Sequence, residues 1–151
     1  MNIVLLEPLG IPEEALASLS APLTAAGHSF FACPLTHIDA ETVEQAKDAD
    51  VVLLANKRLG NDVIRALPRL KFISVAFTGV DHVGLEACGE RGIAVSNAAG
   101  YATDSVAELA VCMMISCLRN VHACDQRCRE GGTKDNLVGT TLRGKTVGIV
   151  G

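Results

Sequence analysis

Aromatic side chains are scarce in this 151-residue chain, which contains no tryptophan, one tyrosine and four phenylalanines. Positive charge is not in excess either, because 13 Lys and Arg residues against 17 Asp and Glu residues give a formal net charge of −4. Nucleic acids bind to basic grooves with aromatic stacking platforms, and anionic membrane surfaces bind to basic patches. The sequence has neither feature, so we expect no nucleic-acid partner and no membrane partner.

Long hydrophobic runs and paired cysteines are also missing from the sequence. The apolar run at residues 3–6 has only the length of a strand, and no basic segment precedes it. The six cysteines form no CxxC pair; Cys124 and Cys128 lie four residues apart, and two thiolates alone make a poor zinc site. We therefore predict no metal site and a reduced, cytoplasmic setting.

Short apolar runs alternate with helical patterns over the first hundred residues. Helices are predicted from Pro12 and Leu85, and two more begin at the candidate N-caps Asp39 and Asn61. Such alternation is typical of an α/β protein, and we predict a flavodoxin-like doubly wound parallel sheet. Ligands of such sheets bind beyond the carboxyl ends of the strands. The predicted strands are residues 3–6, 28–33, 51–55, 72–77 and 93–96.

The pattern changes after residue 102. Apolar residues recur at helical spacing from residue 103 or 104 to about residue 130. At 1.5 Å per residue, this pattern predicts a single helix of roughly 40 Å. Thr103, Asp104 and Ser105 can cap its start, and the pair Gly131 and Gly132 ends it.

The last ten residues, LRGKTVGIVG, combine a turn with a predicted strand at residues 146–150 that runs into Gly151. A buried strand followed by a glycine is how a dinucleotide-binding loop begins. The sequence therefore predicts the opening strand of an incomplete Rossmann domain after the long helix.

Two loops with glycine follow neighbouring predicted strands. Thr78, Gly79 and Val80 lie at the carboxyl end of the fourth strand, where a glycine permits close approach and free amides can hold a carboxylate. The second loop, residues 97–101, ends in Tyr101 and faces the same crevice. Each loop also has a plainer interpretation, which is a strand-to-helix turn for the first and a packed side chain for Tyr101.

Four stretches of the sequence point to one family. They are TGVDHVGLEAC, RGIAVSNAAGY, SVAELAV and LRGKTVGIVG, which begin at residues 78, 91, 105 and 142. Each is weak alone, but their order and spacing are specific. In these stretches the chain resembles the D-isomer-specific 2-hydroxyacid dehydrogenases, which reduce 2-keto acids with NADH or NADPH. The resemblance covers most of the chain.

The resemblance implies a substrate site in the flavodoxin-like domain. In the family, backbone amides of the loop matching Thr78, Gly79 and Val80 hold the substrate carboxylate, and Tyr101 matches a tyrosine near the substrate in lactate-type members. Lys57, after the third strand, is a further candidate for anion binding, with a solvated surface cation as the alternative. The small-molecule partner implied is a short 2-hydroxy or 2-keto acid.

The resemblance also implies a cofactor and a domain division. Thr103 falls near the cofactor in some members, and Gly151 matches the first glycine of GxGxxG. We divide the chain into a substrate-binding domain at residues 1–100, a linking helix at 101–132 and the opening strand of a truncated dinucleotide-binding domain at 133–151. Members often carry an acid where this chain has Gly84, which is a weaker helix cap.

The family's catalytic Arg, Glu and His come from the second domain, so no catalytic residue is predicted in this chain. NAD or NADP is expected in the full-length enzyme, none is expected bound to these residues, and the chain alone is expected to be inactive. The alternative is a complete non-catalytic module that binds small acids or dimerises. Exposed apolar residues along the long helix predict a homodimer, and exchange of that helix between chains is one form of it.

Overall fold

The structure is a computed structural model that describes residues 1–33 and 40–150, with only the backbone described at residues 40 and 41. The candidate cap Asp39 and the candidate cofactor residue Gly151 lie outside the described residues. The chain forms two compact units, Met1–Tyr101 and Ala102–Gly151.

The first unit is a five-stranded sheet with helices between consecutive strands. All neighbouring strands are parallel, and their order is β2-β1-β3-β4-β5. This arrangement confirms the predicted flavodoxin-like sheet, and the strands differ from their predicted bounds by one or two residues. The elements are β1 (Asn2–Leu5), α1 (Glu13–Ala25), β2 (Ser29–Ala32), α2 (Ala40–Ala46), β3 (Val51–Leu54), α3 (Asn61–Ala66), β4 (Phe72–Val75), α4 (Leu85–Arg91) and β5 (Ala94–Asn97).

The core lies on the three central strands. Strand β3 pairs with β1 on one side and β4 on the other, which explains why its sequence VVLL is apolar throughout rather than alternating. Leu54 of β3 and Ile73 of β4 are fully buried. The outer strands β2 and β5 expose most of their residues.

The Asn61 side chain is one of the groups that join helices α3 and α4. The prediction that Asn61 caps α3 is wrong, because the N-cap is Gly60 and Asn61 is the first helical residue. The Asn61 side chain instead accepts a hydrogen bond from the Ala87 amide at 3.1 Å and donates one to Glu86 at 3.0 Å. Local sequence favours Asn as a cap, but here the neighbouring helix supplies better partners.

The second unit contains two helices rather than the single long helix predicted. These are α5 (Thr103–Leu118) and α6 (Val121–Arg129), and they meet at a bend of 63°. The break lies at Asn120, whose φ of 52° is left-handed and whose side chain donates to the Leu137 carbonyl at 3.2 Å. Asparagine tolerates this conformation better than other non-glycine residues, so it can end one helix and begin the next.

The predicted cap of α5 and the last predicted strand both differ from the structure. The N-cap is Ala102, and Ser105 Oγ donates to the Ala102 carbonyl at 3.0 Å instead of capping the helix. Residues 146–150, predicted to be a strand, form none, because no described residue offers them a neighbouring strand. Among the described helices, none is by itself long and apolar enough to cross a membrane, although α5 and α6 meet that length and composition together across their bend.

Candidate functional site

The carboxyl edge of the sheet carries the loops that can form a site. Strand β1 connects towards β2 on one side, while β3 lies on its other side, so the topological switch point falls between β1 and β3. Ligands of doubly wound sheets bind at this edge. The four loops described in full there are residues 6–12, 55–60, 76–84 and 98–102.

The structure brings four of the predicted substrate residues together in the loops after β4 and β5. The Asn97 side chain donates to the Thr78 carbonyl at 2.7 Å, and the Ala98 amide donates to the Phe77 carbonyl at 3.0 Å. The Phe77 and Tyr101 rings contact each other with centroids 6.4 Å apart. Both loops are therefore held side by side, with Thr78, Gly79, Val80 and Tyr101 along them.

The backbone of residues 78–80 is suited to an anion. The amides of Thr78, Gly79 and Val80 donate to no described residue, and Thr78 is exposed while the other two are half-buried. A Cβ added at Gly79 would meet only the Asp81 carboxylate, at 3.5 Å, which is ordinary contact. Free amides at a strand end can bind a carboxylate by hydrogen bonds to its oxygens.

A buried carboxylate at the switch point was missed by the sequence analysis. Glu7, two residues after the end of β1, is only 6% exposed. Its Oε2 accepts hydrogen bonds from the amides of Ala55, Asn56 and Lys57 at 2.9, 3.0 and 2.9 Å. The only sequence signal for this contact is an acid placed directly after a buried strand. Three amides on one oxygen form an anion nest, and in this protein Glu7 itself occupies it.

This contact gives the Lys57 backbone a role in addition to the anion-binding role predicted for this residue. The Lys57 amide binds Glu7, and the side chain is half-buried while that of Arg58 is exposed. Lys57 lies in the loop after β3, whereas residues 78–80 lie in the loop after β4. Its part in anion binding remains a prediction.

The loops after β3 and β4 are themselves joined by backbone hydrogen bonds. Leu59 forms an isolated parallel bridge with Val83. The Leu59 amide donates to the His82 carbonyl at 2.9 Å, and the Gly84 amide donates to the Leu59 carbonyl at 2.8 Å. The Val83 amide closes the turn on the Val80 carbonyl at 2.9 Å. Residues 55–60 and 78–84 therefore form one connected edge.

The amino edge of the sheet carries a second buried carboxylate, Asp50, which is 3% exposed. The Asn2 amide donates to it at 2.8 Å, and Lys71 and Arg69 lie 3.2 and 3.5 Å away. The hydrogen bond from Asn2, followed by that from Lys71, lowers the pKa of Asp50 to about 2. This group lies at the edge opposite the candidate site and joins the first strand to the third.

A cavity of about 480 Å³ lies between α1 and the strands β1 and β2. Its walls are mostly apolar, with Leu5, Leu16 and Phe30 among them, and its described lining contains no cation that could bind a carboxylate. Nor do the described residues contain three metal-ligating side chains close together. The loops at the carboxyl edge are the better candidate for binding a small acid.

Comparison with known proteins shows the family of this chain. The family description "D-isomer specific 2-hydroxyacid dehydrogenase, catalytic domain" matches residues 3–146. A D-3-phosphoglycerate dehydrogenase of Methanocaldococcus jannaschii is 36% identical over 113 residues, which are 74% of this chain and 22% of that protein. A glyoxylate reductase of Thermofilum pendens is 32% identical over 146 residues, covering 93% of this chain and 43% of that protein.

A solved structure shows the same architecture. The NAD complex of an NAD-dependent formate dehydrogenase from Staphylococcus aureus superposes with a TM-score of 0.77 at 28% identity, covering 92% of this chain and 46% of that one. The chain thus spans less than half the length of these relatives. With a family match over nearly its whole length and a parallel sheet of the expected order, the chain belongs to the D-isomer-specific 2-hydroxyacid dehydrogenase family.

Proposed function

We propose that this chain is the substrate-binding, N-terminal part of an NAD(P)-dependent oxidoreductase that interconverts a small D-2-hydroxy acid and its 2-keto acid. The observation that carries the proposal is the set of three unengaged amides at Thr78, Gly79 and Val80, at the carboxyl edge of the sheet. The family and the reductases and dehydrogenases among its relatives support it.

In this proposal the amides of Thr78, Gly79 and Val80 hold the substrate carboxylate. Tyr101, packed on Phe77, borders the acid, and Lys57 adds positive charge to the neighbouring loop. Thr103 is exposed and its hydroxyl donates to no described residue, which fits a contact with a cofactor. NAD or NADP supplies or accepts the hydride when bound. We place Gly151 at the start of the cofactor's phosphate loop.

The acid–base residues of the reaction are proposed to lie in the part of the family's length that these 151 residues do not span. We therefore expect no turnover from this chain, and its role is to bind and orient the acid. A cytoplasmic location is part of the proposal, supported by six cysteines that are all free in the described structure.

The proposal is tested by titrating the chain with oxamate, an unreactive analogue of a 2-keto acid, and following amide shifts by NMR. The shifts should be largest at Thr78, Gly79 and Val80. Gly79→Ala should weaken binding about tenfold without loss of stability, because the added methyl has space in the fold but intrudes where a ligand approaches.

The matched control is Gly89→Ala, since a Cβ there meets nothing within 4 Å and the residue lies on α4, away from the loops. Its oxamate affinity should equal that of the unmodified chain. Oxamate shifts elsewhere on the sheet, or a Gly79→Ala variant that binds as well as the control, would contradict the proposed site.

The exposed face of α5 supports the second candidate function, a dimerisation module. Val106, Leu109 and Met113 recur at helical spacing and are 61%, 59% and 58% exposed. Apolar surface of this kind is usually covered by a partner. We propose a homodimer through this face, with exchange of α5 and α6 between chains as one form of it. A non-catalytic acid-binding module would share the same dimer.

Sedimentation at micromolar concentration is expected to give a dimer. Leu109→Glu should shift it to a monomer, because a carboxylate in an apolar interface has no partner. Leu19→Glu is the control, since Leu19 of α1 is 69% exposed and lies in the other unit. A monomeric unmodified chain, or dissociation caused equally by both variants, would count against this face.

A further inference from the structure

We propose that Glu7 is a positioning residue. From the loop after β1, it holds residues 78–80, the proposed carboxylate-binding loop after β4, in their conformation. The proposal rests on the function proposed for Thr78, Gly79 and Val80. Glu7 lies on the loop after β1 and is two strands away from these residues, yet hydrogen bonds linked by short stretches of backbone connect it to the loop that contains them.

The first step is the contact between Glu7 and the loop after β3. One carboxylate oxygen gathers three consecutive amides, those of Ala55, Asn56 and Lys57, all within 3.0 Å. Consecutive amides point at one atom only when their backbone adopts a single curved conformation. Because Glu7 is buried, its negative charge is stable there only with these donors in place. The carboxylate and the shape of the loop therefore depend on each other.

The second step carries this constraint to the loop after β4. Leu59 follows the nest by two residues and exchanges backbone hydrogen bonds with His82 and Gly84. His82 and Gly84 are the chain neighbours of Val83, and the Val83 amide closes the turn that begins at Val80 by donating to the Val80 carbonyl. A shift of residues 55–57 would therefore be transmitted to the amides of residues 78–80.

A third observation explains why a carboxylate is needed. Glutamine has the same size as glutamate and can present its side-chain oxygen to the three amides. That oxygen is neutral, so it accepts weaker hydrogen bonds than an ionised carboxylate does. Glu7→Gln thus removes the nest's charge with little change in volume, while Glu7→Asp keeps the charge and shortens the side chain by one methylene.

The structure also provides a matched control for general destabilisation. Asp50, directly before β3, is a second buried carboxylate that accepts a hydrogen bond from a backbone amide. It lies at the amino edge of the sheet, opposite to Glu7. Asp50→Asn removes a similar charge and a similar hydrogen bond without touching residues 55–60 or 78–84. A role confined to folding would make Glu7→Gln and Asp50→Asn behave alike in binding.

The experiment uses the 151-residue chain with amide hydrogen exchange and oxamate titration, both read by NMR. Glu7→Gln should raise the exchange rates of Ala55, Asn56 and Lys57 at least tenfold and weaken oxamate binding at residues 78–80 about tenfold. Glu7→Asp should give smaller changes in the same direction. Asp50→Asn should lower the urea midpoint but leave oxamate affinity unchanged. The proposal would be overturned if the Glu7→Gln and Asp50→Asn variants bound oxamate with equal affinity.

Two further outcomes are also decisive. If the unmodified chain shows no oxamate shifts at residues 78–80, the proposed function fails, and the assignment of Glu7 is judged by exchange alone. Faster exchange of the Val83 and Gly84 amides in Glu7→Gln, absent in Asp50→Asn, would then support it, and unchanged exchange would overturn it. If Glu7→Gln does not fold, the same comparison is made with Glu7→Asp.

Discussion

Gly84→Ala is expected to destabilise the chain by about 3 kcal/mol, at the upper end of the usual cost of overpacking. A Cβ at this position would lie 2.6 Å from the backbone nitrogen of Asn61 and 2.8 Å from its Cα. Real Cβ atoms do not approach backbone this closely, so α3 or α4 must move. The Asn61–Ala87 hydrogen bond and the Leu59–Val83 bridge both resist that movement.

The loss of stability is measured by urea denaturation of the unmodified chain, the Gly84→Ala variant and a control variant. Gly89→Ala is the control, because it lies inside α4 with nothing near its added methyl, and it should stabilise the chain by about 0.5–1 kcal/mol. If Gly84→Ala unfolds at the same urea concentration as the unmodified chain, Gly84 does not lie as close to the Asn61 backbone as described.

The same geometry gives a physical reason for glycine at position 84, where the resemblance led us to expect an acid in other members of the family. An acid there would cap α4, but its Cβ would clash with Asn61 in this protein. We expect Gly84→Asp to be no better than Gly84→Ala, although helix-capping rules alone favour it. The advantage of the cap is smaller than the cost of separating two packed helices.

Asp50→Asn should lower stability strongly at neutral pH and hardly at all in acid. The folded-state pKa of Asp50, about 2, lies below the ordinary value for an aspartate because the Asn2 amide and Lys71 favour the charged form. A lowered pKa means that the unfolded chain takes up this proton first. The stabilisation from Asp50 is therefore complete above about pH 5 and is lost as the pH falls towards 2.

The measurement is the urea midpoint of both proteins from pH 7 down to pH 2. The difference between them should be constant above about pH 5 and shrink below pH 4. Glu90→Gln is the control, because the pKa of Glu90 is also lowered, by its hydrogen bond from Arg65, but the pair is exposed on the surface. A gap that persists unchanged to pH 2 would show that Asp50 does not stabilise the fold through its charge.

The central sheet and the loop at residues 78–80 could be predicted from sequence because their signals are local. An apolar run such as residues 51–55 is a strand wherever it occurs between turns, and glycine marks the loop after the fourth run. The start of α4 at Leu85 was predicted correctly, and the helix ends at Gly92, which adopts the left-handed conformation that glycine favours. These features depend on neighbours only a few residues away.

The features that sequence analysis missed depend on distant partners. Glu7 lies 48 to 50 positions from the amides that surround it, and no periodic pattern connects them. The break at Asn120 depends on the Leu137 carbonyl, 17 positions away. Apolar spacing continued through this point, so it indicated one helix where the structure has two.

The sequence by itself determined the family, the alternation of strands and helices in the first unit, and the position of the glycine loop that follows β4. Only the tertiary structure decided that Glu7 fills the switch point, that Asn61 joins two helices rather than capping one, and that residues 146–150 lie unpaired. Hydrophobic periodicity predicts which side of a helix or strand is buried. It does not predict the hydrogen-bond partners of a polar side chain, because these depend on where the rest of the chain places its donors and acceptors.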